Sequence, residues 1–382
     1  MRAPLVAMLA LALALAACGG GSGAPDATPT PQATATPTIA PTATPPPVAI
    51  PDAPPAVDIT VPPGFTAYRL AEDFFRATTV ALAPDGTVFV SERHGNIYRV
   101  VDADGDGVFE GRELFDEGYN EVTGLVFANN GTLYVSSRGK VTTGRDTDGD
   151  GSADETQDII TELPNGRHQN DGLAFGPDGK LYITLGSTCD ECDEADARSA
   201  TILQANTDGS ALRVYASGLR NPYDLVFDDQ GRLWATDNGS DTPCATVDEL
   251  NLIVDGGDYG WPYGIDGCDP LTDGTPPLAD LGLHTASTGI DFYDGAQFPP
   301  EYRGDLFLTL WGSIVNPPDP VAQVLMRAVI GDGPSATTEV FARGFQHPID
   351  VAVDRDGTLL VLDYGSESSG GGALYRIVYT GG

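Results

Sequence analysis

Histidine is rare in this chain, and the four that occur are candidates for proton chemistry. They are His94, His168, His284 and His347. An imidazole has an ordinary pKa of about 6.5, so it can take up or release a proton near neutral pH. A single histidine is more often a structural hydrogen-bonding group than a catalyst. The first question is therefore whether the fold brings these four together.

Arginine side chains provide the second candidate chemistry. The chain has only 20 basic residues against 55 acidic ones, a formal net charge of −35. Arg93, Arg138, Arg167 and Arg220 are among the few cations, and a guanidinium pairs well with a carboxylate. If these four meet, they predict a site for a small anionic ligand. The overall negative charge repels phosphate backbones, so we expect no nucleic-acid partner.

Two acidic segments have the spacing of calcium-binding loops, in which alternate carboxylates converge on a hard cation around a glycine turn. The candidate ligands are Asp102, Asp104, Asp106 and Glu113 in the first segment, and Asp146, Asp148, Asp150 and Asp154 in the second. Glu113 holds the twelfth position of its loop, whereas the second loop has Gln157 there. A solvated acidic turn is the alternative interpretation.

A repeated sequence motif indicates the fold that must position these residues. The motif occurs six times and consists of an apolar run, a turn glycine and a second apolar run, which is a β-hairpin signal. The turn glycines are Gly86, Gly131, Gly179, Gly231, Gly304 and Gly357. Their spacing of 45 to 73 residues is typical of a four-stranded propeller blade. We therefore predict an all-β, six-bladed β-propeller over residues 64–382.

This architecture converts sequence position into location. Residues just before the first strand of a blade and just after its second strand meet around the axis on one face. All four histidines and the four arginines map to that face, whereas both acidic loops fall between third and fourth strands, on the opposite face. We assign the acidic loops to stability. The segment 65–70 is the predicted fourth strand of the last blade, which closes the ring.

The N-terminal residues predict export. Residues 1–18 combine a basic start, a short apolar run and Leu-Ala-Ala-Cys, which is typical of a bacterial lipoprotein signal. Cys18 would then be lipidated, and an ordinary signal peptide with an incidental cysteine is the alternative. Residues 19–63 are rich in Thr, Pro and Ala and predict a disordered linker. We expect a domain anchored to the cell envelope, periplasmic or extracellular.

Four further cysteines, an even number in an exported chain, favour disulfide bonds. They are Cys189, Cys192, Cys244 and Cys268, and three pairings are possible. We favour Cys189 with Cys192 and Cys244 with Cys268, because each pair lies within one loop. A zinc site at Cys189 and Cys192 is the weaker alternative, since no second ligand pair has zinc spacing.

Several motifs resemble those of one enzyme family. The stretch 166–186, which begins Gly-Arg-His-Gln-Asn-Asp-Gly, is similar to the PQQ-dependent sugar dehydrogenases, the glucose/sorbosone dehydrogenase family. The segments 216–227, 233–241, 248–253, 256–262 and 298–307 resemble the same family in the same order. The resemblance covers most of the chain from about residue 64.

The resemblance implies a quinoprotein that oxidises a sugar (aldose, sorbosone or a related alcohol) and passes electrons to an external acceptor. His168 matches the general base that takes the hydroxyl proton, while Arg220 and Asn221 match positions that bind PQQ. Gly239 and Ser240 match positions whose main-chain oxygens hold the calcium ion of the cofactor.

The chain also departs from the family pattern. Relatives carry basic residues where this chain has Trp311 and His347, and those basic groups neutralise carboxylates of PQQ. We expect Arg93 and Arg167, together with Arg138, to compensate, because an unpaired buried carboxylate is costly.

Two other functions fit a propeller, because fold alone does not determine function. A non-catalytic surface propeller could bind carbohydrate or protein, and it would need only shape and aromatic side chains. A calcium-dependent lactonase would need carboxylates and amides that converge on the axis, with Asp237, Asn238 and Glu121 as candidates.

Overall fold

The fold is all-β, and the chain forms six four-stranded antiparallel sheets arranged as the blades of a propeller. The computed structural model describes residues 48, 50–190, 192–240, 247–262, 274–283, 285–312, 322–331, 336–366, 368 and 370–381. Five blades contain four strands that are consecutive in sequence, and the sixth combines three C-terminal strands with the first strand of the chain. The predicted six-bladed β-propeller is confirmed.

The strand bounds follow, blade by blade. Blade one contains β2 (Ala77–Leu82), β3 (Val88–Glu92), β4 (Ile97–Val101) and β5 (Gly111–Asp116). Blade two contains β6 (Val122–Phe127), β7 (Leu133–Ser137), β8 (Lys140–Arg145) and β9 (Glu155–Ile160), and blade three β10 (Asn170–Phe175), β11 (Leu181–Leu185), β12 (Thr201–Ala205) and β13 (Arg213–Ser217). Blade four contains β14 (Pro222–Phe227), β15 (Leu233–Asp237), β16 (Val247–Ile253) and β17 (Ala279–Leu283). Blade five contains β18 (Ser287–Phe292), β19 (Leu306–Leu310), β20 (Val324–Ile330) and β21 (Ala336–Arg343), with a 3₁₀ turn at Pro300–Tyr302, and blade six β22 (Pro348–Val353), β23 (Leu359–Asp363), β24 (Gly372–Tyr379) and β1 (Phe65–Phe74).

Blade six closes the ring as predicted. Strand β1 pairs antiparallel with β24, from Phe65 opposite Tyr379 to Phe74 opposite Gly372. The Phe65 ring also lies 4.8 Å from the Phe298 ring and 5.0 Å from the Phe341 ring, centroid to centroid. Such aromatic pairs contribute about 0.5–1.5 kcal/mol each beyond burial of their area. The closure therefore combines a strand ladder with an aromatic cluster.

The hairpin turns confirm the repeat on which the prediction depended. All six turn glycines have a positive φ, between 73° and 95°. Such a conformation costs glycine little because it has no Cβ. The six hairpins join the first and second strands of the six blades.

Aspartates on the inner strands link neighbouring blades, a device the sequence pattern did not reveal. The Asp224 carboxylate accepts a hydrogen bond from Ile290 N in the next blade at 3.0 Å, and Asp350 accepts one from Val80 N at 2.8 Å. A Cβ at Gly172 would lie 2.4 Å from Asp224 Oδ1, so this glycine makes room for the carboxylate. These links hold the inner strands, and the loops at their ends, in register.

The packed chain begins upstream of the boundary predicted at residue 64. Ile59 is buried, Thr60 forms a β-bridge with Arg343, and Asp52 N donates a hydrogen bond to Asp106 O. The signal segment and most of the linker lie outside the described residues. Within the described part of the chain, no helix has the length and apolar character needed to cross a membrane.

Candidate active site

A cavity of about 320 Å³ opens at one end of the propeller axis. This volume is within the range of small-molecule sites, about 300–1,000 Å³. Its wall combines the loops that precede first strands and follow second strands, as the sequence predicts, with residues near the start of the first strands, such as Asp171 and Tyr223. The lining residues include Arg93, Glu121, Arg138, Arg167, His168, Gln169, Asp171, Asn221, Tyr223, Asn238, Trp311 and Tyr364.

His168 is held as a neutral imidazole. Its Nδ1 lies 2.9 Å from the carbonyl oxygen of Ser187. Because a carbonyl only accepts, Nδ1 carries the proton in the neutral ring and Nε2 remains a proton acceptor. Burial, followed by the nearby charge of Arg220, lowers the pKa of His168 to about 4. The imidazole is therefore unprotonated at physiological pH and free to take up a proton.

Two cavity arginines share one carboxylate. Arg93 Nη2 lies 3.1 Å from Glu121 Oε1, and Arg138 Nη1 donates to Glu121 Oε2. Arg138 Nη2 also donates to the carbonyl of Gly166 at 2.8 Å. Burial would raise the pKa of Glu121, but the bonds and charges of the two arginines hold it below its ordinary value. This carboxylate therefore stays ionised, and the cluster keeps a net positive charge.

The four predicted cofactor-binding residues occupy different places. Arg93, Arg167 and Asn221 line the cavity, and Asn221 Oδ1 is buried with no hydrogen-bond partner among the described residues. The Arg220 side chain is only 5% exposed and lies behind this wall. It donates to Asp190 Oδ1 at 2.6 Å and to the carbonyl of Asn238 at 3.0 Å. The structure thus places Arg220 as a support for the wall and not as a lining residue.

Aromatic groups occupy the positions where the family pattern has cations. The Trp311 and His347 rings are stacked, with centroids 4.0 Å apart and planes inclined by 18°. His347 Nδ1 lies 2.9 Å from the Trp311 carbonyl oxygen, and the Tyr364 ring meets Trp311 edge-on. Trp311 and Tyr364 line the cavity. This wall is therefore suited to stacking against a flat ligand.

The histidines do not all converge. His168 lines the cavity and His347 supports Trp311, whereas His94 is exposed and packs against the Phe75 ring. His284 lies outside the described residues.

The predicted calcium ligands of the cofactor site lie next to the cavity. Asn238 lines it, and Gly239 and Ser240 follow directly in the chain. Gly239 N donates to Asp248 Oδ1 at 2.9 Å, and Ser240 is buried. The bond to Asp248 anchors the backbone directly after the cavity wall.

The acidic loops lie between β4 and β5 and between β8 and β9, as predicted, but their carboxylates group differently. In the first loop Asp102, Asp104 and Asp106 converge with Glu110, not with Glu113. Glu113 lies within β5 opposite Arg99 of β4 and forms an ion pair with it. Strand β5 starts at Gly111, so Glu113, the twelfth residue counted from Asp102, pairs with β4. Glu110, the ninth residue, still lies in the loop and joins the cluster.

The second loop also contributes its ninth residue, but it has one carboxylate fewer in its cluster. Asp146 and Asp148 converge with Asp154, its ninth residue. Asp150 is outside this 4.8 Å cluster, and its carboxylate accepts a hydrogen bond from Ser152 N.

Two carboxylates at this site were not among the residues predicted from the sequence. Asp171 lines the cavity from inner strand β10, where burial raises its pKa to about 8 despite a bond from Thr123. Asp190 binds Arg220 from the loop after β11. The adjacency of Asp171 to the His168 motif was the available signal.

The lactonase set does not assemble. The Asp237 carboxylate accepts hydrogen bonds from the backbone N–H groups of Arg220 and Asn221 and is absent from the cavity lining, whereas Glu121 and Asn238 do line it. Of the predicted disulfides, Cys189–Cys192 is present, and Cys244 and Cys268 lie outside the described residues.

Comparison with known proteins gives a consistent family. The model of the family described as Glucose / Sorbosone dehydrogenase matches residues 76–376. The chain is 28% identical over 238 residues to quinoprotein glucose dehydrogenase B of Acinetobacter calcoaceticus, over 47% of this chain and 48% of that protein. It matches 43–60% of the length of four such curated relatives, about half on average.

Solved structures agree on the fold. The PQQ-bound aldose sugar dehydrogenase of Streptomyces coelicolor superposes with a TM-score of 0.64 at 20% identity, covering 83% of this chain and 100% of that one. The PQQ domain of pyranose dehydrogenase from Coprinopsis cinerea gives 0.69 at 16% identity, over 86% and 99%. The family match reaches all six blades, with only strand β1 wholly outside it, and includes the loops that build the cavity; the chain belongs to the glucose/sorbosone dehydrogenase family.

Proposed function

We propose that this protein uses PQQ as cofactor to oxidise a sugar, namely an aldose, sorbosone or a related alcohol. His168 acts as general base, and the electrons pass to an external acceptor. The observation that carries the proposal is the pairing, in one cavity, of a neutral imidazole with three guanidinium groups. Family membership supports the reaction class.

The residues present fit the cofactor. PQQ carries three carboxylates, and the cavity offers Arg93, Arg138 and Arg167 against the ionised Glu121. Asp171, with its raised pKa, is largely protonated near neutral pH and adds little negative charge. The unpartnered Asn221 Oδ1 is a further polar group available to a ligand. Arg93 and Arg167, with Arg138, would thus compensate for the cations absent at Trp311 and His347.

The mechanism assigns separate tasks to the chain. When bound, PQQ supplies an ortho-quinone that accepts a hydride equivalent. His168 takes the proton of the substrate hydroxyl at Nε2, while the Ser187 carbonyl holds Nδ1–H and fixes the tautomer. Such general-base catalysis contributes about 10²–10⁴-fold to the rate. The guanidiniums bind and orient the anionic cofactor, and Trp311 excludes water from one wall.

Calcium has two proposed places. Main-chain oxygens of Gly239 and Ser240 would hold the ion beside the cofactor, because hard cations prefer oxygen ligands. The two acidic loops would each bind a calcium ion that stabilises a blade, through Asp102, Asp104, Asp106 and Glu110 and through Asp146, Asp148 and Asp154. Glu113 and Asp150 are left out of these revised sets.

The cellular setting follows from the N-terminal sequence. Residues 1–18 would direct export, and lipidation at Cys18 would anchor the protein to the envelope. The propeller would then work outside the cytoplasm, where the Cys189–Cys192 disulfide is stable.

The test is reconstitution of the purified apo-protein with PQQ and calcium, followed by a dye-linked oxidation assay over a sugar panel. Turnover that requires both additions is expected. PQQ uptake without turnover on any sugar would contradict the proposed substrate class. Failure to bind PQQ, with retained binding of an oligosaccharide, would favour the non-catalytic propeller.

A further inference from the structure

The loop after β11 contains a disulfide that closes a four-residue ring. Cys189 and Cys192 are bonded, with their Cα atoms 5.9 Å apart, and Asp190 lies inside the ring. Asp190 has a φ of 74°, a left-handed conformation that aspartate tolerates better than most residues. The short ring therefore restricts the backbone that carries the Asp190 carboxylate.

This carboxylate is directed at a buried cation. Asp190 Oδ1 accepts bonds from Arg220 Nε at 3.0 Å and from Arg220 Nη2 at 2.6 Å. Its other oxygen lies 3.8 Å from Arg167 Nε. Because the Arg220 side chain is 5% exposed, removal of its partner charge would leave a guanidinium poorly compensated in the protein interior.

The same loop also holds the proposed base. The Ser187 carbonyl accepts the hydrogen bond of His168 Nδ1, and Ser187 N donates to the Arg220 carbonyl at 2.7 Å. Ser187 Oγ accepts a bond from Asp190 N at 3.0 Å, so the ring is tied directly to the residue that orients His168. Glu194 anchors the loop from its other end by accepting bonds from Thr188 N and Thr188 Oγ1.

We propose that the disulfide-closed turn Cys189–Cys192 is a positioning element of the active site, and that Asp190 is the positioning residue through which it fixes Arg220 behind His168. The role in turnover rests on the proposed dehydrogenase function; the coupling between Asp190 and Arg220 does not. Asp190 acts through Arg220 and Ser187, and no contact between Asp190 and the cofactor or substrate is required.

The first test uses the apo-protein. A double-mutant cycle of Asp190→Asn and Arg220→Gln is measured by urea unfolding, once in the wild-type background and once with Cys189→Ser and Cys192→Ser. We expect a coupling of about tenfold in the unfolding equilibrium constant with the disulfide and a clearly smaller one without it. Equal coupling in both backgrounds would overturn the role of the disulfide, and absence of coupling would overturn the role of Asp190.

The second test uses the PQQ- and calcium-loaded protein and expresses turnover per bound PQQ. Asp190→Asn should lower kcat about 10- to 100-fold with little change in KM, because the base and its support shift by a fraction of an ångström. The Cys189→Ser, Cys192→Ser variant should move kcat in the same direction. Asp193→Asn is the matched control, because it removes a charge from an exposed neighbour that has no side-chain partner among the described residues.

The outcomes separate the two proposals. If the wild type binds no PQQ but the apo coupling is present, the dehydrogenase function fails and the positioning element stands. If the wild type turns over and Asp190→Asn keeps the wild-type kcat per bound PQQ, the positioning role is overturned even when the melting temperature falls.

Discussion

The two sides of the axial cavity are built from different chemistry. The cationic side, from blades one to three, carries Arg93, Arg138, Arg167 and His168, with Glu121 between the first two arginines. The aromatic side, from blades five and six, carries Trp311 and Tyr364, with His347 stacked on Trp311. One side therefore offers charge and an imidazole, and the other offers flat aromatic surface.

This contrast indicates how an anionic, planar cofactor can bind without cations on all sides. Guanidiniums on one side compensate negative charge, and an indole on the other contributes stacking that does not depend on charge. Loss of the cationic side should therefore have larger effects than loss of the aromatic side.

Replacing the base should have the largest effect. In His168→Gln, kcat should fall about 10²–10⁴-fold while PQQ is still bound, because the variant lacks a proton acceptor at the site of Nε2. Stopped-flow reduction of the bound cofactor by sugar measures this step directly. Full turnover by a PQQ-loaded variant would show that another group is the base.

Removing charge from the cationic side should weaken cofactor binding strongly. Arg93→Gln with Arg138→Gln leaves Glu121 without these two partners and facing an anionic ligand. Charge-assisted bonds contribute about 1.5–3 kcal/mol each, so the Kd for PQQ should rise at least about tenfold. The Kd follows from calorimetric titration, with Arg69→Gln as control, because Arg69 forms an exposed ion pair with Asp58 and does not line the cavity. An unchanged Kd would show that the arginines of the cationic side do not bind the cofactor.

Removing the aromatic side should have a smaller effect. Trp311→Ala eliminates the stacked surface but no charge, and an aromatic contact contributes about 0.5–1.5 kcal/mol. The Kd for PQQ should rise about 2- to 10-fold, less than for the double arginine variant. A Kd change larger than that of the arginine pair would reverse the assigned roles of the two sides.

Acidification should lower the unfolding free energy of the protein through His168, which lies on the cationic side. Its pKa is about 4 in the folded protein and ordinarily 6.5, so between these values the unfolded chain binds a proton that the folded protein does not. This contribution to stability is complete above pH 6.5 and is lost as the pH falls toward 4.

The control for this effect is His168→Gln, which cannot titrate. Between pH 7 and pH 4.5 the wild type should lose up to about 2 kcal/mol more unfolding free energy than the variant. Urea unfolding at the two pH values measures the difference. Identical losses would show that His168 does not have a depressed pKa in the folded protein.

The acidic loops should have the smallest effect on chemistry, because they lie away from both cavity sides. Asp104→Asn should reduce the rise in melting temperature that calcium produces in the apo-protein, with PQQ affinity unchanged. Glu113→Gln is the matched control, because Glu113 pairs with Arg99 and lies outside the cluster. Equal effects of the two variants on the calcium response would contradict the revised ligand set.

The blades were predictable because their signal is local. Each turn glycine is adjacent to the apolar runs it joins, and all six adopt the positive φ that the pattern requires. The same periodicity placed His168, Arg93 and Asn221 on the cavity face, since strand order determines on which face a loop lies.

The remaining differences depend on contacts that local patterns do not contain. Arg220 is turned away from the cavity lining by Asp190, thirty residues earlier in the chain. Glu113 pairs with Arg99 in the β4–β5 ladder. Strand β5 begins before the twelfth residue of the loop, so Glu113 is not available as a loop ligand. Side-chain direction and strand register set these outcomes, and both arise from tertiary packing.

The central claim is that the axial cavity is a PQQ site, and calorimetric titration of PQQ into the calcium-loaded apo-protein tests it most directly. The account predicts saturable binding of one PQQ per chain, weakened by Arg93→Gln with Arg138→Gln. No heat of binding in the wild type, or binding that the arginine substitutions leave unchanged, would contradict it.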